Sequence, residues 1–213
     1  KHLTCGEGGI LISDNEYLME KARRFGTLGY ASVRASSSQA KVKREVIQDP
    51  SYERHVGLGW NYRMSELDAA VALAQTERMK EFVVQRSRVA TLYEEASKGC
   101  DWLVPQSVPD EFQHSWWTYV VKLDNQDRFT WQEFRDKYTA LGGDGIYAAW
   151  LVNYLEPNLR GLTLGRQKFQ PGLCKVAEAL QPKLLQFKTN YMDLNKAKHQ
   201  SEVLSNTIRY FGK

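Results

Sequence analysis

The sequence predicts an α/β fold, in which short strands and amphipathic helices alternate along the chain. Residues Gly9 to Ser13 form a short apolar run typical of a buried strand, and Asp14 or Asn15 can cap a helix directly after it. Further along, an alternating segment from His114 to Leu123 precedes a capped helix and another extended segment. A strand, a helix and a strand in this order indicate a small α+β domain in the C-terminal half.

Capping signals predict where the longer helices begin. The helix after Asn15 has one apolar side, formed by Leu18, Met19, Ala22 and Phe25. Ser65 and Asp68 form a pair resembling a capping box, and the apolar residues after them keep a helical period to about Lys98. A helix of roughly 30 residues is about 45 Å long, which is more than one small core needs. We therefore expect it to connect two domains.

The C-terminal half carries its own helix and strand signals. Thr130 and Glu133 form a capping box before a helix that ends at Gly142-Gly143, and Gly145 to Trp150 follows as a strand or extended segment. A short helix from Cys174 to Gln181 ends at Pro182, and a last amphipathic helix ends near Phe211. Four tryptophans are interpreted as core residues, although stacking on a sugar remains an alternative: Trp116, Trp117, Trp131 and Trp150.

Composition excludes several classes of function. The chain has 213 residues with a net charge of +4 and both signs mixed throughout, which does not indicate nucleic acid binding. No apolar run approaches the ~20 residues that span a bilayer. Three widely spaced cysteines, Cys5, Cys100 and Cys174, suggest a reducing cytoplasm, and neither they nor the four histidines have the spacing of metal ligands. We expect a cytoplasmic protein without a metal site.

The first motif is the opening segment, Lys1-His2-Leu3-Thr4-Cys5-Gly6-Glu7-Gly8-Gly9. A lysine here precedes a glycine-rich turn and a short apolar run. A primary amine is the side chain that bonds reversibly to a carbonyl, so such a lysine is a candidate nucleophile. The simpler interpretation is a plain turn, because glycine adopts positive φ without steric cost.

The second motif runs from His55 through Gly59-Trp60-Asn61-Tyr62-Arg63-Met64 into the helix that Ser65 caps. Amide N–H groups suit phosphate oxygens, and an arginine fork suits a carboxylate. Alternatively, Asn61 forms an Asx turn before the helix and Arg63 is a surface charge.

Together the two motifs resemble the DegT/DnrJ/EryC1/StrS family of sugar aminotransferases, which depend on pyridoxal 5'-phosphate (PLP). The resemblance implies that Lys1 is the catalytic residue that forms the Schiff base with PLP. It implies that Asn61 reaches the PLP phosphate of a partner subunit in a homodimer with shared active sites. It further implies that Arg63 meets the carboxylate of the amino donor, and that His55 and His114 lie where substrate binds.

The same resemblance predicts the domain organisation. The chain is expected to be a fragment of a fold-type I PLP-dependent transferase: the end of the large α/β domain plus the small C-terminal α+β domain. Residues 1–63 belong to the large domain, 64–98 form the connecting helix and 99–213 the small domain. The loop expected between Gly29 and about Trp60 approaches the active site in this family. The family's other PLP contacts would precede Lys1, so the chain alone is expected to be catalytically incomplete.

The implied reaction is transfer of an amino group from glutamate or glutamine to a keto sugar, nucleotide-linked, or to a keto cyclitol. Two alternatives remain open. Dehydratases of the same fold can have histidine in place of the lysine, and His2 lies beside Lys1. The other alternative is a noncatalytic regulatory relative, or a small α/β binding module, which would catalyse neither reaction. A lysine at the motif position favours the aminotransferase.

Overall fold

The computed structural model describes residues 1–34, 42–125 and 128–212, which form two compact units. One unit is Leu3–Arg78, and the other combines Lys1–His2 with Met79–Lys213. Part of the loop expected between Gly29 and Trp60 falls on residues 35–41, outside the described residues. No helix in the described ranges is both long enough and apolar enough to cross a membrane.

The described part of Leu3–Arg78 contains three helices, and the caps predicted for two of them are confirmed. Helix α1, Glu16–Gly26, begins where the Asn15 side chain accepts a hydrogen bond from the Leu18 N–H at 3.0 Å. A short helix α2 spans Arg44–Gln48. Helix α3 spans Glu66–Glu77, and the Ser65 hydroxyl both accepts from the Asp68 N–H and donates to the Asp68 carboxylate.

The strand predicted from Gly9 to Ser13 is wrong for this structure. The segment is extended without a ladder, and its apolar side chains are exposed: Ile10 by 77%, Leu11 by 58% and Ile12 by 85%. A strand needs a neighbour that satisfies its N–H and C=O groups, and no other segment of the described chain pairs with this one.

The single long helix predicted from Ser65 to Lys98 is also interrupted. Helix α3 ends at Glu77, and helix α4, Met79–Ser97, begins after Arg78. The Thr76 hydroxyl donates to the carbonyl of Ala72 at 2.7 Å, a back-bond that disturbs helical geometry. The boundary between the two compact units falls at this interruption.

The second unit is built on a four-stranded antiparallel sheet. Its strands are β1, Leu103–Pro105; β2, Thr118–Leu123; β3, Tyr147–Ala148; and β6, Leu184–Lys188, in the order β1-β2-β6-β3. Strands β4, Thr163–Leu164, and β5, Gln167–Lys168, form a separate hairpin. Strand β2 begins four residues later than the predicted start at His114 because Trp116 has a φ of +52°, which breaks the extended conformation.

Helices cover one face of this sheet and enclose the core. The helix predicted after Thr130 is confirmed as α5, Trp131–Ala140, with its capping box intact. Helix α6 spans Lys175–Leu180, and α7, Leu194–Phe211, packs against α4. Alternate residues of β2 and β6 point into the core, where Tyr119, Val121, Leu185 and Phe187 are at most 1% exposed. The intervening residues face the opposite side of the sheet and are half-buried.

Candidate functional site

A cleft of about 450 Å³ lies on the face of the sheet opposite the buried core of the second unit. It is lined by two cations, three aromatic rings and three neutral polar side chains: Arg86, Lys188, Trp117, Tyr147, Trp150, Thr118, Gln186 and Asn190. Its volume is within the range of clefts that bind small molecules. None of the described side chains that line it is a carboxylate, so its charge is positive.

The strand register places the cleft residues on one face. Thr118 of β2 lies opposite Lys188 of β6, and Gln186 lies opposite Tyr147 of β3. Because side chains alternate across a strand, Gln186 and Lys188 point to the same side, away from the buried Phe187 between them. Three strands therefore contribute polar groups to one surface.

Helix α4 supplies the first cation. Nη1 of Arg86 donates to the carbonyl oxygen of Trp117 at 2.8 Å and to the hydroxyl of Thr189 at 2.9 Å. Thr189 is fully buried and donates in turn to the carbonyl oxygen of Trp116 at 2.6 Å. Burial lowers the pKa of Arg86. These bonds fix the guanidinium at the start of β2 without neutralising it.

Strand β6 supplies the second cation. Nζ of Lys188 lies 3.2 Å from the Asp144 carboxylate, which also accepts a 2.7 Å hydrogen bond from the Tyr191 hydroxyl. Burial is the main reason why the pKa of Tyr191 is raised, so this hydroxyl stays a donor. Asp144 therefore holds Lys188 in place, whereas Tyr147, three residues later, lines the cleft.

Lys1 and His2 belong to the same compact unit as the cleft. Nζ of Lys1 lies 4.6 Å from the centroid of the Trp117 ring, which is a wall of the cleft. Nδ1 of His2 is buried without a hydrogen-bond partner among the described residues. Its pKa is lowered, first by burial and then by the positive charge of Arg86. An amine and an imidazole in its neutral form therefore stand beside the cations of the cleft.

His114 lies near this group but is engaged in local structure. Its Nδ1 accepts a hydrogen bond from the Trp116 N–H at 2.9 Å, and the two rings are 4.2 Å apart. The bond supports the positive φ of Trp116. His114 also contributes to lowering the pKa of His2, which indicates that the two imidazoles are close.

The other predicted site residues form a second cluster, within Leu3–Arg78. Nε of Arg63 donates to Oδ1 of Asn61 at 2.8 Å, so one side chain orients the other. The backbone of Asn61 pairs with Thr27, and that of His55 pairs with Tyr30. Nδ1 of His55 is also 2.7 Å from the carbonyl oxygen of Leu28.

A glycine makes this close packing of loops possible. Gly29 has a φ of +71°, and a Cβ there would lie 1.9 Å from the carbonyl oxygen of Gly57. Any other residue at position 29 would therefore force the segment that carries His55 and Asn61 away. The glycine-rich character of the second motif reflects this backbone contact.

The structure thus divides the predicted site residues between its two units. Lys1 and His114 lie in the unit with the cleft, whereas His55, Asn61 and Arg63 lie in the other. The sequence did not identify Arg86 or Lys188 as site residues, because isolated cations in a helix and a strand carry no local signal. Trp117 and Trp150 were wrongly interpreted as core, since they are 46% and 82% exposed, whereas Trp116 is buried as expected.

Metal ligands and disulfides do not contribute to either cluster. In the described ranges no group of three or more His, Cys, Asp or Glu side chains is arranged to hold a metal ion. No disulfide joins the cysteines Cys5, Cys100 and Cys174.

Solved structures similar to this chain share its fold. PseC of Helicobacter pylori, an aminotransferase of pseudoaminic acid biosynthesis, matches with a TM-score of 0.70 at 15% identity, over 93% of this chain and 48% of that one. The sugar aminotransferase CalS13 of Micromonospora echinospora matches with 0.71 at 16%, over 96% and 48%. GDP-4-keto-6-deoxy-D-mannose-3-dehydratase of E. coli, solved with bound hydrated PLP, matches with 0.69 at 15%, over 91% and 49%.

The chain spans about half the length of each of these structures. Their fold is that of PLP-dependent sugar aminotransferases, and the mixed α/β architecture described above is consistent with its C-terminal part. The sequence itself matches the DegT/DnrJ/EryC1/StrS aminotransferase family over residues 1–198. Because that match includes most of the chain, the chain belongs to the DegT/DnrJ/EryC1/StrS aminotransferase family.

Proposed function

We propose that the protein to which this chain belongs is a PLP-dependent aminotransferase. It transfers an amino group from glutamate or glutamine to a nucleotide-linked keto sugar or a keto cyclitol. The position of Lys1 carries the proposal. This residue opens the segment that matches the family, and its amine lies against Trp117, a wall of the positively charged cleft.

The donor set around Lys1 suits PLP, a planar ring with an aldehyde, a hydroxyl and a phosphate. Lys1 supplies the primary amine that an aldehyde requires, and the exposed ring of Trp117 supplies an aromatic face. The buried Nδ1 of His2 has no partner in the described chain, and a polar group of a bound ligand would satisfy it. The residues present therefore fit the cofactor.

The chemistry divides between cofactor and protein. When bound, PLP supplies the electron sink that makes the carbon–hydrogen bond of the amino donor acidic. Nζ of Lys1 would hold the cofactor, and, once freed by the donor amine, it would accept the proton released from the donor α-carbon and transfer it within the site. The fork of Arg63 binds the donor carboxylate, and His55 and His114 contact substrate.

Arg63 also prepares Asn61 for its proposed role. Because Nε of Arg63 occupies Oδ1 of Asn61, the amide NH₂ group is left to donate. In the homodimer that we propose, this group binds the PLP phosphate of the partner subunit.

We also propose the domain organisation that the family resemblance implies. Residues 1–63 belong to the large domain, 64–98 form the connecting segment, which is interrupted at Arg78, and 99–213 form the small domain. We place the protein in the cytoplasm, because three widely spaced cysteines are not typical of a disulfide framework.

Subunit complementation tests the shared site. A Lys1→Ala subunit and an Asn61→Ala subunit are each expected to be inactive as homodimers of the full-length protein. Mixed dimers contain one site with both residues intact, so mixing is expected to restore part of the activity. An active monomer, or no activity after confirmed subunit exchange, would contradict the assignment of Asn61.

Spectroscopy of the full-length protein with PLP tests the reaction. Lysine-bound PLP absorbs visible light, and we expect this band to appear on loading and to disappear when glutamate or glutamine is added. The change must not occur in Lys1→Ala. A band that persists with both donors contradicts the aminotransferase, and failure to form the band favours a noncatalytic relative.

A sugar dehydratase is the second candidate. The buried, unpartnered Nδ1 of His2 beside Lys1 supports it, because an imidazole in its neutral form can act as a proton acceptor. Turnover of a keto sugar in the absence of any amino donor would favour this reaction. Under the aminotransferase proposal, no turnover occurs without glutamate or glutamine.

A further inference from the structure

The chain turns an unusual corner at Trp116 and Trp117, directly before strand β2. Trp116 has a φ of +52°, a conformation that bulky residues adopt rarely and at a cost in free energy. Nδ1 of His114 accepts from the Trp116 N–H, and the hydroxyl of Thr189 donates to the Trp116 carbonyl oxygen. Nη1 of Arg86 donates to the carbonyl oxygen of Trp117. Corners that several groups hold in a costly conformation are typical of functional sites.

The corner reverses the sides to which the two tryptophans point. Side chains alternate along a strand, so a regular extension of β2 would place Trp117 on the core side with Tyr119, and Trp116 on the cleft side with Thr118. The opposite is observed. Trp116 is 9% exposed and belongs to the core, whereas Trp117 is 46% exposed and lines the cleft. The positive φ of Trp116 therefore directs the ring of Trp117 out of the core.

The ring of Trp117 lies against the amine of Lys1, within the same compact unit. Nζ of Lys1 is 4.6 Å from the ring centroid, and a cation within about 6 Å of a tryptophan face is attracted to it. Arg86 and Lys188 line the cleft, and in the described chain no carboxylate does. The aromatic face therefore supplies an attraction for positive charge that the acidic residues described here do not supply.

We propose that Trp117 is a positioning residue, which holds the amine of Lys1 through the face of its ring, and that the corner at Trp116 presents this ring. The proposal rests on the proposed function, in which Lys1 accepts a proton and so becomes an ammonium. A ring face attracts an ammonium more strongly than a neutral amine. Trp117 therefore stabilises Lys1 after it has accepted the proton, and it acts through Lys1.

Ring-current shifts measure this contact without any activity. Reductive methylation of the full-length protein without PLP, with isotope-labelled formaldehyde, places methyl groups on lysine amines, and NMR detects them. Methyl groups over an aromatic face resonate upfield, so the Lys1 signal, identified by its loss in Lys1→Ala, should be displaced upfield. Trp117→Leu should abolish the displacement, and Trp117→Phe, with a smaller ring, should retain part of it. If Trp117→Leu is poorly folded by circular dichroism, the partial loss in Trp117→Phe decides.

Two controls separate this contact from a general change in the cleft. Trp150→Leu removes another ring that lines the cleft and is 82% exposed, but among the described residues no cation lies over it. This variant should leave the Lys1 signal in place. Nζ of Lys137 lies 3.8 Å from the centroid of the Tyr210 ring, so its displaced signal is an internal reference that Trp117→Leu should not change. A Lys1 signal at the ordinary position, or one that both tryptophan variants move equally, would overturn the proposal.

Thr189→Val tests the corner itself. It keeps the shape of the side chain but removes the hydroxyl that donates to the Trp116 carbonyl oxygen, so the displacement of the Lys1 signal should decrease. The matched control is Thr207→Val, at another fully buried threonine, whose hydroxyl donates to the carbonyl oxygen of Val203 within α7. The control should leave the Lys1 signal in place. A signal that Thr189→Val does not move would overturn the role of the corner.

Kinetics of the full-length, PLP-loaded protein distinguish positioning from contact with a sugar. Trp117→Leu should lower kcat by about 2- to 30-fold, the range of a cation–π contact, and leave the KM of both substrates unchanged. Trp117→Phe should recover part of the loss. A higher acceptor KM with unchanged kcat would make Trp117 a sugar-stacking residue and overturn the proposal. In a protein without aminotransferase activity, a displaced Lys1 signal that Trp117→Leu abolishes would support the positioning and contradict only the proposed function.

Discussion

The two compact units differ in how they use their apolar residues. In the unit that contains Met79–Lys213, aromatic and aliphatic side chains from β1, β2, β6, α4, α5 and α7 form one buried core. Among the described residues of Leu3–Arg78, Val33 is the one buried hydrophobic residue, whereas Ile12, Leu58 and Leu67 are more than 80% exposed. One unit closes its own core within the described chain, and the other exposes residues that sequence patterns assign to an interior.

The exposed side chains of Leu3–Arg78 give this unit an apolar surface. Exposed apolar surface of this kind is typical of regions that another domain or subunit covers. The chain spans about half of the solved structures that it resembles, so additional protein is available to them for such a role. The sheet unit, in contrast, buries most of its large apolar side chains in its own core.

Core truncation gives the largest expected effect. Phe187 is 1% exposed and its ring lies 5.4 Å from that of Tyr93. In the chain as given, Phe187→Ala should reduce the free energy of unfolding by about 3–5 kcal/mol. Urea titration followed by tryptophan fluorescence measures it, because five of the six tryptophans lie after Met79. Leu58→Ala, at a side chain 96% exposed, is the control and should change it by less than about 0.5 kcal/mol. Similar losses in both variants would contradict the contrast between the units.

A substitution in Leu3–Arg78 should affect the kinetics of the amino donor and not those of the acceptor. Arg63→Ala, in Leu3–Arg78, should weaken the amino donor by about 10- to 150-fold, which corresponds to about 1.5–3 kcal/mol for a charged hydrogen bond. Arg63→Lys keeps the charge but loses the fork, so it should recover only part of the loss. Steady-state kinetics of the full-length enzyme with each substrate varied in turn checks this. A rise in the acceptor KM, with unchanged donor kinetics, would make Arg63 a sugar contact.

Loss of a helix cap has the smallest expected effect. Thr130→Ala removes the hydroxyl that accepts from the Glu133 N–H at 3.2 Å at the start of α5. We expect the free energy of unfolding to fall by about 1 kcal/mol, measured by urea titration followed by tryptophan fluorescence. Ser65→Ala removes the corresponding cap of α3, in the other unit, and should leave that transition nearly unchanged. A larger shift for Ser65→Ala would show that the two units unfold together.

Local signals predicted the local structure well. The caps at Asn15, Ser65 and Thr130 are all present, because each needs only a side chain and a backbone N–H three residues away. Strand β6 was not predicted, since Leu184–Lys188 is short and its alternation is seen only when β2 and β3 flank it. The strand expected after Gly9 failed for the converse reason, because a correct pattern without a neighbour forms no ladder.

Prediction from the sequence had the same limit at the candidate site, where it found only residues within contiguous motifs. Contiguous motifs pointed to Lys1, Asn61 and Arg63, whose roles remain predictions. The hydrogen bond between Asn61 and Arg63 spans two positions and was within reach of sequence reasoning. Arg86 and Lys188 are more than a hundred residues apart along the chain and meet only through the register of the sheet with α4. No period or motif joins such residues before the fold is known.

Reductive trapping of the cofactor tests the central claim most directly. Borohydride treatment of the full-length protein with PLP fixes the cofactor to the amine that held it, whatever the acceptor. Peptide mapping should find the label on the peptide that contains Lys1, and Lys1→Ala should lose it. Label on Lys21 or Lys43, with Lys1 unmodified, would contradict the account.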